Sequence, residues 1–221
     1  MSDRPAALVD VRSLGILGGT FNPPHLGHLA VARRAREQLE LEHVLLMPVH
    51  TAHKPAEDDP GPEHRLRMCE LAVDGVDGVS ACALEIERGG PSYTVDTLNA
   101  IHASHPDAEL TFIVGADIAS TLASWREPSR LLELADLAVA ARVGSARRAV
   151  LDTVAGLRAA DSARKPAATR VRFLEMPTID VSSSLARHRA ATGRPIEDLV
   201  GPAVARYIAE HDLYARGRVA S

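Results

Sequence analysis

The chain predicts an α/β fold, a doubly wound and mostly parallel sheet with helices on both faces. Three observations carry this expectation. Short apolar runs alternate with segments of helical periodicity down the whole length. The runs read as buried strands, which need a cover on each face. A glycine pair, Gly18-Gly19, stands between the first run and a helix-like segment, as in strand–turn–helix units. Strands that alternate with helices imply right-handed crossovers and hence parallel pairing, a Rossmann-like arrangement.

The elements follow in order. Leu14 to Leu17 is the first strand, and Leu26 to Leu39 the first helix. Val44-Leu45-Leu46-Met47-Pro48-Val49 is the second strand, and Glu63 to Val73 the next helix. Thr94 to Ser104 reads as a helix before the strand Leu110 to Val114. A short helix at Arg130 to Leu134 precedes the strand Leu137 to Ala140. Arg148 to Arg158 has Val150, Leu151, Val154 and Leu157 on one face, and the strand Val171 to Leu174 follows. Residues 1–221 are expected to form one domain with a small C-terminal helical part at about 178–216. Two segments read as irregular: 56–62, acidic and turn-rich and suited to a mobile flap, and 142–168, an excursion from the sheet.

Bulk properties narrow the class. Over 221 residues, 46% hydrophobic and 24% charged content is that of a globular protein, while 3% aromatic leaves the core to Leu, Val, Ile and Ala. A net charge of -4 argues against nucleic acid as a partner. No apolar stretch approaches membrane-spanning length, and Met1 to Asp10 lacks an apolar signal core. Cys69 and Cys82 alone suggest neither a disulfide framework nor a metal cluster. The expectation is a cytoplasmic protein without a membrane partner, compatible with a homo-oligomer.

The most informative string is Gly18-Gly19-Thr20-Phe21-Asn22-Pro23-Pro24-His25-Leu26-Gly27-His28. Strand, glycine turn and helix start place backbone N–H groups and a helix N-terminus around an anion. His25 and His28, at i and i+3, share one face of the first helical turn. In the outer loop His50-Thr51-Ala52-His53-Lys54-Pro55, Lys54 is one of two lysines in an arginine-rich chain. It reads either as a kept functional lysine or as a solvated one. Near the C-terminus, Asp180-Val181-Ser182-Ser183-Ser184-Leu185-Ala186-Arg187 sets a serine cap before a helix, with Arg187 one turn inside. A plain cap and a phosphate site are both compatible with that pattern.

The first string resembles the GGTFDPxHxGH signature of the nucleotidylyltransferase superfamily, with Asn22 where aspartate is usual. The serine segment resembles the ISSTxxR motif that accompanies it. Gly90-Pro91-Ser92-Tyr93-Thr94-Val95-Asp96-Thr97-Leu98 is similar to the PSYTxxTL element of bacterial nicotinate mononucleotide adenylyltransferases. Phe112 to Asp117 with Ser124-Trp125 resembles the GxD…W segment of that branch, and Val204 to Ile208 with Leu213-Tyr214 its closing helix. The likeness runs from about Leu14 to Tyr214.

The resemblance implies adenylyl transfer from ATP to nicotinate mononucleotide. It implies that His25, His28, Lys54 and Arg187 carry the chemistry by stabilising phosphate charge. ATP would lie on Gly18, Gly19, Thr20, Phe21, His28 and Gly115, with Asp117 at its ribose and Ser182, Ser183 and Arg187 at its phosphates. The mononucleotide would meet Thr20, Phe21, His25 and Lys54, with Tyr93 and Thr94 at the nicotinate carboxylate, Trp125 stacked on the ring and Arg142 at the rim. Read from residue type alone, Trp125 also fits a core tryptophan and Asp117 a helix cap. Mg2+ is expected to arrive with ATP, since no HxxEH, CxxC or EF-hand spacing marks a resident metal site. The alternatives are the same chemistry on nicotinamide mononucleotide or phosphopantetheine, a glycerol-phosphate type cytidylyltransferase, or a non-catalytic nucleotide-binding regulator.

Overall fold

The computed structural model describes residues 11–51, 58–141, 147–160, 170–177 and 179–215. Its sheet contains β1 (Ser13–Gly19), β2 (His43–Pro48), β3 (Val79–Ala81), β4 (Glu109–Gly115), β5 (Asp136–Ala141) and β6 (Val171–Glu175). The strand order is β3-β2-β1-β4-β5-β6, and every neighbouring pair is parallel. The chain starts in the middle, winds out to β3, then returns beside β1 and winds the other way. The switch point between β1 and β4 opens a crevice at their carboxyl ends, the place where such sheets bind ligands.

Alternation along β1 assigns its side chains to two cores. Leu14 and Ile16 join Leu45 and Met47 of β2 under α4 (Thr94–Ser104) and α6 (Pro128–Leu134), which contribute Leu98, Ile101 and Leu131. Leu17 joins Leu46 and Ile113 under α1 (Leu26–Leu39) and α2 (Pro62–Val73), which contribute Leu29, Ala32, Cys69 and Val73. Each fully buried leucine contributes about 1.5–3 kcal/mol relative to an exposed one. Gly15 is forced by this closeness: a Cβ there would stand 2.8 Å from the Leu41 side chain and 2.9 Å from that of Ile113.

α2 is covered twice. Cys69 and Val73 face the sheet, while Met68 joins a third cluster with Ala186, Ile196, Leu199, Val204 and Ile208. Those last residues belong to α8 (Ser183–Ala191), α9 (Glu197–Val200) and α10 (Pro202–Glu210) and the turns between them. The C-terminal helices are thereby held against the face of α2 that the sheet leaves free. Among the described residues no helix is long and apolar enough to cross a membrane.

The structure differs from the sequence expectations in detail. β3, α3 (Leu84–Arg88) and α5 (Ala116–Ala119) were not expected, being three to five residues long and too short to show a period. Gly18 and Gly19 are the last residues of β1 rather than part of the turn, because they pair in register with Met47 and Pro48. The turn proper runs from Thr20 to His25. α7 (Arg147–Ala160) extends the helix expected at 148–158.

Candidate active site

The turn after β1 is shaped by one ring. Phe21 takes the left-handed region at φ 52°, and its ring is buried against Gly19. A Cβ on Gly19 would lie 3.1 Å from that ring, so glycine is what lets the ring fold back. The Phe21 ring then meets the His28 imidazole edge-on, with centroids 4.8 Å apart. His25 and His28 stack at 3.7 Å with their planes 21° apart. Gly27 completes the packing, since a Cβ there would come within 3.0 Å of the His25 ring and of Val181.

The hydrogen bonding selects a tautomer. The backbone N–H of His25, the N-cap of α1, donates to Nδ1 of His28 at 3.1 Å. An accepting Nδ1 in a neutral ring leaves the proton on Nε2, so His28 presents an N–H donor beyond the helix cap. Burial pushes His25 down to about 4, and burial with the neighbouring His25 holds His28 well below the usual imidazole range. Both rings are therefore neutral at pH 7 in the ligand-free chain. His25 Nδ1 is buried without a hydrogen-bond partner, an orphaned polar atom beside the helix start.

The C-terminal segment closes on the same turn. Arg187 donates from Nη1 to the carbonyl of Asn22 at 2.8 Å and from Nε to Asp58 Oδ2 at 2.9 Å. Ser183 Oγ donates to the carbonyl of Pro23 at 2.8 Å. Ser182 caps α8, its Oγ accepting from the N–H of Leu185 at 3.1 Å. The Ser183 hydroxyl is thus spent within the protein, whereas Ser182 Oγ accepts and keeps its proton to donate; the Leu185 N–H is taken by the cap, which leaves the Ser183 and Ser184 N–H groups at the start of α8. Asn22, buried at 4% exposure, also accepts through Oδ1 from the Tyr214 hydroxyl.

On the other side, Ser92 Oγ accepts from the His50 N–H at 3.0 Å, and Thr51 bridges Pro91. This ties the end of β2 to the start of α4, where Tyr93 is the N-cap and Thr94 the first helical residue. Tyr93 is exposed, with the Arg126 guanidinium 4.7 Å over its ring. Trp125 is half-buried, edge-on to Phe112 with centroids 5.8 Å apart, and donates from Nε1 to Thr121 Oγ1. Gly115 ends β4 and caps α5, so Asp117 is an exposed residue of the first turn rather than the cap itself. Lys54 and Arg142 lie outside the described residues.

Gly18 to Phe21, His25 and His28 therefore meet Ser182, Ser183 and Arg187 at the end of β1, with Gly115 ending the adjacent strand. Sequence reasoning gave no role in the site to Arg65, Tyr214, Ser92 or Asp58, although Ser92 and Tyr214 lie in the motifs quoted above. The signal for Arg65 was present: in α2 it falls on the same stripe as Met68, Cys69 and Val73, an arginine at a buried position. Among the described residues no group of three or more His, Cys, Asp or Glu side chains is placed to hold a metal.

Residues 16–189 match the cytidylyltransferase-like family model. A probable nicotinate-nucleotide adenylyltransferase of Symbiobacterium thermophilum is 39% identical, over 92% of this chain and 96% of the relative. One from Thermomicrobium roseum is 41% identical over 91% of each. Among solved structures, Plasmodium falciparum nicotinic acid mononucleotide adenylyltransferase complexed with NaAD superposes with a TM-score of 0.73 at 18% identity. It covers 92% of this chain and 97% of that one, a likeness of fold.

Proposed function

Since this chain belongs to the cytidylyltransferase-like family and, within it, to the nicotinate-nucleotide adenylyltransferases, we infer that it transfers the adenylyl group of ATP to nicotinate mononucleotide, forming nicotinate adenine dinucleotide and pyrophosphate. The observation that carries this reading is the pair of stacked imidazoles and Arg187 set around one turn at the β1–β4 switch point.

The chemistry needs no protein nucleophile. A phosphate oxygen of the mononucleotide attacks the α-phosphorus of ATP in line, a new P–O bond forms, and the bond to the β-phosphate oxygen breaks. Its electron pair leaves with pyrophosphate. The attacking oxygen is already anionic, so no proton has to be removed. The work of the protein is to bring two polyanions together and to stabilise the charge that grows on the α-phosphate and the leaving group.

The roles proposed for the site residues are as follows. The His28 Nε2–H is a neutral donor that costs no proton uptake before it binds phosphate. His25 stacks beside it and offers the mononucleotide phosphate the second imidazole. Arg187 brings a fixed positive charge and α8 the N–H groups of its first turn. Backbone groups from Gly18 to Phe21 complete the cradle, and Asp117 accepts from the adenosine ribose. Tyr93 and Thr94 face the nicotinate carboxylate through the first N–H groups of α4, with Trp125 against the ring. For Lys54 and Arg142, which lie outside the described residues, the family resemblance alone supports roles at the phosphates and at the rim. ATP enters as its Mg2+ complex, and the reaction runs in the cytoplasm.

The test is pyrophosphate release with MgATP and three acceptors: nicotinate mononucleotide, nicotinamide mononucleotide and phosphopantetheine. Preference for the nicotinate acid is expected. Preference for either other acceptor keeps the phosphate chemistry and discards the pocket assignment, and no release with any of them overturns the enzymatic reading.

A further inference from the structure

Arg65 is the largest side chain buried below 2% exposure, at 1%. Filling that volume does not require a charge: the same stripe of α2 uses Met68 at the next turn, and an apolar residue avoids the cost of taking a charge out of water. Its guanidinium is spent on backbone. Nη1 donates to the carbonyls of Val49 at 2.6 Å and Thr20 at 3.0 Å, and Nη2 to that of His50 at 2.8 Å. Nε meets Asp59 Oδ1 at 3.0 Å, and that oxygen also accepts from the Gly61 N–H. The rigid fork can serve these acceptors together, which a lysine ammonium cannot.

The carbonyls it holds lie just beyond the ends of β1 and β2. A trans peptide is planar, so a carbonyl drawn toward Arg65 sends the following N–H the opposite way. Arg65 thereby aims the N–H groups of Phe21, His50 and Thr51. Two of these are accounted for: the His50 N–H reaches Ser92 Oγ, and the Thr51 N–H is taken by the parallel bridge to the Gly90-Pro91 segment that leads to Tyr93.

We propose that Arg65 is a positioning residue for adenylyl transfer: one buried guanidinium sets the spacing of the β1 and β2 loops and turns the Phe21 N–H toward the phosphates. The proposal rests on the adenylyltransferase reading above. Arg65 touches no substrate and acts through the backbone it holds, with Asp59 balancing its charge.

The experiment compares the parent chain with Arg65→Lys and Asp59→Asn, at a temperature well below the unfolding midpoint of each. Arg65→Lys is expected to lower kcat by about 10²-fold, the scale of an ångström misplacement, while KM for either substrate moves far less. Asp59→Asn removes the charge that anchors the fork and is expected to loosen its hold on the three carbonyls, lowering kcat by roughly tenfold, the worth of turning a charge-assisted hydrogen bond into a neutral one. Parent-like kcat in folded Arg65→Lys overturns the proposal; if that variant does not fold, parent-like kcat in Asp59→Asn does so. A parent inactive with every acceptor overturns the functional reading instead. Amide exchange in the ligand-free chain then decides the clamp: faster exchange at Phe21 and Thr51 in the variants supports it, and unchanged exchange sinks it.

Discussion

The hydroxyl of Tyr214 donates to Oδ1 of Asn22 at 2.6 Å, joining residues 192 positions apart. The bond is buried, and it pins the turn after β1 to the turn that follows α10. It also gives Asn22 a role that sequence alone did not supply. What Tyr214 needs is an acceptor oxygen, and both asparagine and aspartate have one. Asn22→Asp is therefore expected to retain turnover within a few-fold, measured as pyrophosphate release. Tyr214→Phe leaves a buried acceptor unpaired and is expected to cost about 1–3 kcal/mol by denaturant unfolding. A Tyr214→Phe chain as stable as the parent would show that water or a neighbour takes over the bond.

His28→Ala removes the Nε2–H donor while the backbone of α1 is kept. Turnover is expected to fall by about 10²–10³-fold, as for loss of one oxyanion donor, with an unchanged circular dichroism spectrum. Near-parent turnover would remove His28 from the transition state.

Gly27→Ala sets two effects against each other. Alanine raises helix propensity by about 0.8–1.0 kcal/mol, yet its Cβ would press on the His25 ring at 3.0 Å. Stability is expected to hold or rise slightly while kcat drops by roughly tenfold or more from the displaced imidazole. Equal kcat in parent and variant would mean that the ring position is not critical.

Stability should depend on pH through the two imidazoles. In the unfolded chain each ring takes up a proton below about pH 6.5. In the folded chain His25 does so only near 4 and His28 well below the usual range. Between these values the unfolded state binds more protons, so stability rises with pH there and is lost as pH falls from about 6.5 toward 4. Urea midpoints at pH 4.5 and 7 should differ less in His25→Gln than in the parent. An identical difference in both would assign the acid loss to other groups.

Asp58 occupies one donor of Arg187 in the ligand-free chain, at 2.9 Å. If that guanidinium serves ATP phosphates, the carboxylate competes with them. Asp58→Asn is expected to lower KM for ATP by up to about fivefold, the worth of a partly exposed ion pair. A raised KM would show instead that Asp58 holds Arg187 in place for the nucleotide.

Most of the architecture was legible because β1, β2, β4 and β5 are dense apolar runs and α1, α2 and α4 carry long periods. β3 and α5 escaped for the opposite reason, three and four residues holding too little pattern. The site divides the same way. His25, His28 and Arg187 sit in strings whose residue types announce phosphate chemistry. The roles of Arg65 and Tyr214 were missed because their partners are backbone carbonyls and an amide brought close only by folding.

The sequence by itself determined the parallel α/β class, the glycine-led turn after β1 and the histidine pair, since local spacing is enough to specify each of these. Only the tertiary structure decided which tautomer His28 carries, why Gly27 has no side chain, and what Asn22 and Arg65 hold. Those answers depend on distances between segments that the sheet order 3-2-1-4-5-6 and the packing of α8 to α10 on α2 bring together. No spacing along the chain encodes such distances.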